Sequence, residues 1–327
     1  MSTMKQLSGA LAGVALGLGV LASAALAAED GVKMTRLDDR VRIEINGTLF
    51  TEYIFKGTNH VYYYPIIGPE GAIMNRHYPM IPDLREEDHD HPHHRSLWYA
   101  HGAVNGVDFW SESPKAGKIV HAEFLEVKGG QDAGVIRSAN RWVALDGRVM
   151  LTDEQVFRVY NRPGTERLFD FEITLKAPGD REVVLGDTKE GTMAFRVAET
   201  MRLQQPKKKQ GLGHIVLSTG IRDDDTWGKR AAWCDYYGPV KDKTVGVAIF
   251  DHPSNPVYPT WWHVRDYGLF AANPFGVHDF EKKEAGAGNL TIPAGQSLTF
   301  KYRFYLHQGD EKQAKVAEHY DEYKAGK

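Results

Sequence analysis

"SLTFKYRFYLH", residues 297–307, alternates along its length: Leu298, Phe300, Tyr302, Phe304 and Leu306 fall on one face of an extended chain, with Thr299, Lys301 and Arg303 on the other. A helix would scatter these apolar groups around its circumference, so the stretch reads as a β-strand with one face in a core. Half-buried strands of the same kind are expected in "LFDFEITLKA" (168–177), "RVMLTDEQVFRVYN" (148–161), "RWVALDG" (141–147), "IVHAEFLEV" (119–127), "LFTEYIF" (49–55) and "VRIEIN" (41–46). Asn46-Gly47 and Asp146-Gly147 are tight-hairpin pairs, and Pro293-Ala294-Gly295 turns the chain into the last long strand. The expectation is a mostly-β protein built as a single large antiparallel β-sandwich over about residues 30–310. The tail "DEKQAKVAEHYDEYK" repeats Val316, Tyr320 and Tyr323 at helical spacing, which predicts a short C-terminal helix over 310–325 with Asp310 near its start.

The chain opens with one lysine, a run of small and apolar residues, and the pattern Ala25-Leu26-Ala27 before polar sequence. This is the form of a signal peptide spanning residues 1–27, cleaved near Ala27, so residues 28–327 are expected to be a single periplasmic or secreted domain. After it no apolar run approaches the roughly 20 residues that span a bilayer, so no membrane insertion is expected once the signal is removed. The lone Cys234 offers no internal disulfide. A net charge of −3 gives no basic surface for nucleic acid, and Lys207-Lys208-Lys209 reads as a solvated loop. No Gly-rich dinucleotide fingerprint is present, so no nucleotide cofactor is expected.

The chemistry concentrates in "EEDHDHPHHRSLWYAHG", residues 86–102, which holds five of the fourteen histidines. Pro92 favours extended geometry at His91, which would put His89, His91 and His93 on one side and Asp88, Asp90 and His94 on the other. Two sites fit that pattern. In one, His89, His91 and His93, with Asp90 nearby, hold a divalent metal ion. In the other, no metal is needed: His91 or His94 is an acid, and Arg95 binds developing negative charge. Trp98 and His101 follow in a segment suited to gripping a hydroxylated ligand, whereas Trp110 reads as core.

A second constellation, "YPTWWHVRDYGLFAANPFG" (258–276), combines Trp261, Trp262, His263, Arg265, Asp266 and Asn273. Extended geometry puts Trp261, His263 and Arg265 on one face and Trp262, Val264 and Asp266 on the other. His263, Arg265 and a tryptophan are expected to reach the same cleft as the first cluster. Glu190, in the turn "DTKEG", is the best isolated carboxylate for a base, alongside His263. Asp251, His252 and Asn255 form a weaker candidate.

"YPIIGPEG", "NRHYPM", "DHDHPHHRSLWYAHGAVNGVDFW", "DTKEGTMAFRVAETMR", "WGKRAAWCDYYGPV" and "TWWHVRDYGLFAANPFG" occur in the order seen in the bacterial family labelled "methane oxygenase PmoA-like", DUF6807, which the mature chain resembles over nearly its whole length. The resemblance implies an exported protein associated with glycan-degrading systems and carries over no catalytic residue. The oxygenase label sits poorly with a mature chain that has no membrane span. Fold-level analogy adds the many-stranded sandwich of galactose-mutarotase-like proteins. The leading expectation is an enzyme acting on a carbohydrate or related polyhydroxylated small molecule or oligosaccharide, by hydrolysis, elimination or epimerisation. The alternatives are a non-catalytic carbohydrate-binding protein and, third, a metal-dependent oxidoreductase.

Overall fold

Ser297–Gln308 pairs with Lys243–Asp251 on one side and Arg167–Lys176 on the other, which places the most regularly alternating strand inside a sheet. The register sets Phe304 opposite Phe169 and Tyr302 opposite Phe171, so the apolar faces coincide; Phe304 stacks on Phe169 with ring centroids 4.7 Å apart. These coordinates are a computed structural model describing residues 30–326, so the expected signal peptide lies outside the described residues.

Two eight-stranded antiparallel sheets make the body. One runs Val32–Arg36, Arg40–Ile45, Thr48–Ile54, Tyr62–Tyr63, Leu97–His101, Gly191–Arg196, Leu269–Asn273, Trp261–Val264 from edge to edge. The other runs His214–Leu217, Trp233–Val240, Lys243–Asp251, Ser297–Gln308, Arg167–Lys176, Val149–Tyr160, Ala133–Val143, Lys118–Lys128. Their inner faces meet through aromatic pairs, Phe50 against Phe169 and Tyr63 stacked on Phe157 at 4.1 Å. Full burial of each such side chain stabilises the fold by about 1.5–3 kcal/mol. The chain is the mostly-β sandwich that alternation predicts. At the Asn46-Gly47 hairpin both residues have positive φ, 49° and 72°, as a two-residue turn between twisted strands requires.

The C-terminal helix, Val316–Lys324, starts later than its apolar spacing implied. Residues 311–315 form turns instead, because Lys315 takes a left-handed φ of 52° and Asp310 Oδ1 accepts hydrogen bonds from the backbone N–H groups of Lys312 and Gln313. Val316, Tyr320 and Tyr323 then cover Trp233, Phe250 and Tyr305 on the outer face of the second sheet.

The central strands of the first sheet break the alternation rule. Leu97–His101, Gly191–Arg196, Leu269–Asn273 and Trp261–Val264 are buried at every residue, so both faces are covered. One face packs on the second sheet, and the other carries the histidine cluster.

Candidate active-site cleft

The register of the first sheet builds the floor of the site. Trp98 lies opposite Ala194, Ala194 opposite Ala271, and Ala271 opposite His263, so one cross-strand row joins the two sequence clusters. The methyl groups between Trp98 and His263 fill little height above the sheet. Residues 88–96 lie over this floor, but not in the extended form expected. His91 has φ 43°, Pro92-His93 forms a turn, and the N–H of His94 donates to the His91 carbonyl at 3.0 Å. The turn brings His91, His93 and His94 together: the His91 and His94 rings stack at 4.7 Å, and those of His93 and His94 meet edge-on at 4.5 Å. His89 is carried away, stacked on Tyr78 with Nε2 against the Leu84 carbonyl.

The result is a cleft of about 500 Å³ lined by His91, His93 and His94 of the first cluster and by His263 and Arg265 of the second, with Lys189 and Glu190 also in its wall. Asp108, Trp110, Ser111 and Tyr267 complete the walls. Trp110 therefore both fills the core and faces the cleft.

Beneath the imidazoles lies a network of buried charge. Asp90 accepts from Arg76 Nη1 and, at 3.0 Å, from Arg196 Nη2, while His91 Nδ1 lies 2.9 Å from the other Asp90 oxygen, in contact but off the line of a good hydrogen bond. Burial would raise the Asp90 pKa, but His91 and the Arg196 and Arg76 charges hold it well below the usual carboxylate range. Arg196 Nη1 also donates to His94 Nδ1 at 3.1 Å. Across the cleft, Trp227 Nε1 donates to His263 Nδ1 at 3.0 Å. Guanidinium and indole nitrogens only donate, so both Nδ1 atoms must accept, and each neutral ring carries its proton on Nε2. Burial, reinforced by Arg196, keeps the His94 pKa far below normal; burial and Arg265 push His263 down to about 3; burial and His91 push His93 down to about 4. His94 and His263 are thus neutral Nε2–H donors near pH 7, and His91 alone of the three has a carboxylate against its ring.

The remaining expected site residues are placed elsewhere. Arg95 forms a two-pronged pair with Glu112 and lies over Tyr62, because its strand-entry position turns it behind the cleft. Trp98 is buried under His94, His101 is buried with Nε2 on the Gly186 carbonyl, and Trp262 faces the core with Nε1 on the Ala231 carbonyl. Asp266 lines a neighbouring hollow with Asp223 and Asp224. Asn273 contacts no cleft space; its Nδ2 holds the Thr188 and Lys189 carbonyls and fixes the turn bearing Glu190. Gly102 is required there: a Cβ would come within 2.8 Å of Glu190 Cβ. The metal set of His89, His91, His93 and Asp90 does not assemble, since His89 faces Tyr78 and Asp90 is engaged by two arginines. No group of three His, Cys, Asp or Glu among the described residues is arranged to hold a metal ion. Sequence reading missed Arg76, Arg196, Trp227 and Tyr267, although an arginine inside the apolar run "TMAFRVA" signals a charge that needs a partner.

DUF6807, described as a family of unknown function, matches residues 40–321. The chain belongs to the DUF6807 family. That match spans every residue of the cleft. No curated protein matches this DUF6807 member. Among solved structures it is similar to heparan sulfate lyase HepC from Pedobacter heparinus (11% identity, 83% of this chain and 30% of that chain, TM-score 0.30). It is also similar to a GalM/aldose epimerase homologue from C. elegans (6%, 86% and 99%, 0.32) and to galactose 1-epimerase from Lactobacillus acidophilus (9%, 86% and 99%, 0.32). The chain spans only a quarter to a third of the length of the first such neighbours. Likenesses this distant carry no argument about reaction or substrate.

Proposed function

We propose that the cleft performs acid/base chemistry on a carbohydrate, abstracting a proton from carbon beside a carbonyl or carboxylate, as epimerisation or elimination requires. The observation that carries this reading is the division of states among three imidazoles in one cleft. His94 and His263 have their protons fixed on Nε2 by donors behind them, which suits them to stabilise an oxyanion rather than to accept a proton. His91 has the Asp90 carboxylate 2.9 Å from Nδ1, which favours a proton on that nitrogen, and we assign its Nε2 as the base. As the C–H proton passes to His91 Nε2, the C–H electron pair moves toward the carbonyl oxygen, where the two N–H groups receive the growing charge. Delivery of a proton from solvent to the opposite face epimerises the centre; departure of a β-oxygen substituent, which takes up the proton held on His91 as it leaves, completes an elimination. Trp110 and Tyr267 among polar groups fit a flat hydroxylated ligand.

The test is deuterium uptake from D2O into aldoses and uronates, followed by proton NMR on the purified protein. His91→Ala should abolish uptake, and His94→Ala or His263→Ala should slow it by roughly 10²–10³-fold. Uptake that persists in a folded His91→Ala variant, or sugar binding with no uptake by the native protein at any pH, would overturn the reading. We further propose that residues 1–27 direct export, so that this chemistry runs outside the cytoplasm; cell fractionation with the leader intact and removed tests this.

A further inference from the structure

Arg265 stands apart from the other arginines around the cleft. Arg76 and Arg196 hold Asp90, Arg95 holds Glu112, and Arg202 holds Asp88 and Glu199. Arg265 has no side-chain hydrogen bond or ion pair with any described residue. Its guanidinium carbon instead lies over two aromatic rings, 5.6 Å from the Trp227 centroid and 5.5 Å from that of Tyr267. Aromatic contacts of this kind attract the cation and leave its N–H donors unfilled. It lines the cleft beside His263.

No carboxylate nearby is in ion-pair contact with Arg265. Asp108 accepts from the backbone N–H groups of Trp110 and Ser111 and from the Ser111 hydroxyl. Glu190 lies 3.4 Å from Lys189 Nζ, so these two charges offset one another. Arg265 also lines a neighbouring hollow with Asp223, Asp224 and Asp266, and none of the three is in ion-pair contact with it. A planar guanidinium that lines a cleft and has no acceptor of its own is a receptor for a planar anion.

We infer that Arg265 anchors a carboxylate, so that the ligand of this cleft is an acidic sugar of the uronate class rather than a neutral one. The inference rests on the cleft being the ligand site proposed above and deepens it. Arg265, His263 and His91 line one cleft, so a carboxylate held by Arg265 presents its neighbouring carbon inside the space that His91 also faces, and the charge that develops on the carboxylate oxygens falls to Arg265 and the His263 N–H.

Calorimetric titration of the full chain at pH 7 and low salt with glucuronate, glucuronamide, glucose and sodium sulfate reads this without any turnover. Glucuronate should bind at least tenfold more tightly than its amide or glucose. Arg265→Gln should erase that preference, a loss of roughly 10- to 100-fold for glucuronate that brings it level with glucuronamide. Arg265→Lys should recover part of it, since charge returns without the planar fork. Equal binding of glucuronate and glucuronamide by the native protein, which needs no variant to fold, would overturn the inference. Sulfate binding tighter than glucuronate would overturn the carboxylate in favour of a sulfate ester. A glucuronate preference with no deuterium uptake would sink the catalytic reading and leave the anion site; uptake on neutral sugars alone would do the reverse.

Discussion

Arg196 donates to His94 Nδ1 at 3.1 Å through one terminal nitrogen and to Asp90 Oδ1 at 3.0 Å through the other. A single fully buried guanidinium therefore sets the proton position of one imidazole and supports the carboxylate behind another. Replacing it with methionine keeps much of the volume but leaves Asp90 with one arginine fewer. Arg196→Met should lower stability by about 2–3 kcal/mol, less than for a fully buried pair because solvent reaches the Asp90 side chain. Urea unfolding measures this; a loss below 1 kcal/mol would mean that the network is not closed as described.

Acid should destabilise the protein through its neutral imidazoles. His93 and His263 bind protons less readily when folded, at about 4 and about 3, than in the unfolded chain near 6.5. The unfolded state therefore takes up more protons as pH falls, so stability is greatest above 6.5 and declines toward 4. Each such group contributes a slope of up to about 1.4 kcal/mol per pH unit in that window. Unfolding free energies at pH 7, 5.5 and 4.5 should show the fall, and His263→Gln should flatten it.

Trp227→Phe deletes the indole N–H while keeping an aromatic ring beside Arg265. His263 would then be free to place its proton on either nitrogen. Nitrogen-15 NMR of the imidazole should change from one tautomer to a mixture, and deuterium uptake should fall by about tenfold, the scale of one hydrogen bond. An unchanged imidazole spectrum would rule out tautomer control by Trp227.

Arg95→Met tests the opposite kind of expectation. Arg95 and Glu112 are mostly buried behind the cleft, so the substitution should cost about 1–3 kcal/mol of stability, less than a fully buried pair because solvent reaches both groups. Sugar affinity should be unchanged. Weakened binding in a protein with native stability would put Arg95 in contact with the ligand.

Alternation made the long strands legible, because a strand with one wet face must repeat every two residues; Phe300, Tyr302 and Phe304 carry that signal plainly. It failed in the central strands of the first sheet, where both faces are covered and Met193, Ala194 and Phe195 succeed one another without a polar break. The late start of the C-terminal helix was hidden in the positive φ of Lys315, which nothing in a lysine announces. In the site, residue types were readable but not directions. The positive φ of His91 reversed the assumed faces of His89 and His94, and the partnership of Arg196 with Asp90 depends on sheet register across about 100 residues of chain.

The cross-strand row from Trp98 through Ala194 and Ala271 to His263 has a consequence for folding. Its ends lie about 165 residues apart in the chain, and the row exists only once Leu97–His101, Gly191–Arg196, Leu269–Asn273 and Trp261–Val264 have all paired. Such long loops must close before their contacts return any stability, which makes this sheet a slow step. No fragment ending before Trp261 should bind ligand at all. A ligand that bridges His94 and His263 would hold these late-closing strands together, raising global stability by RT ln(1 + [L]/Kd) and making the melting temperature a direct gauge of occupancy.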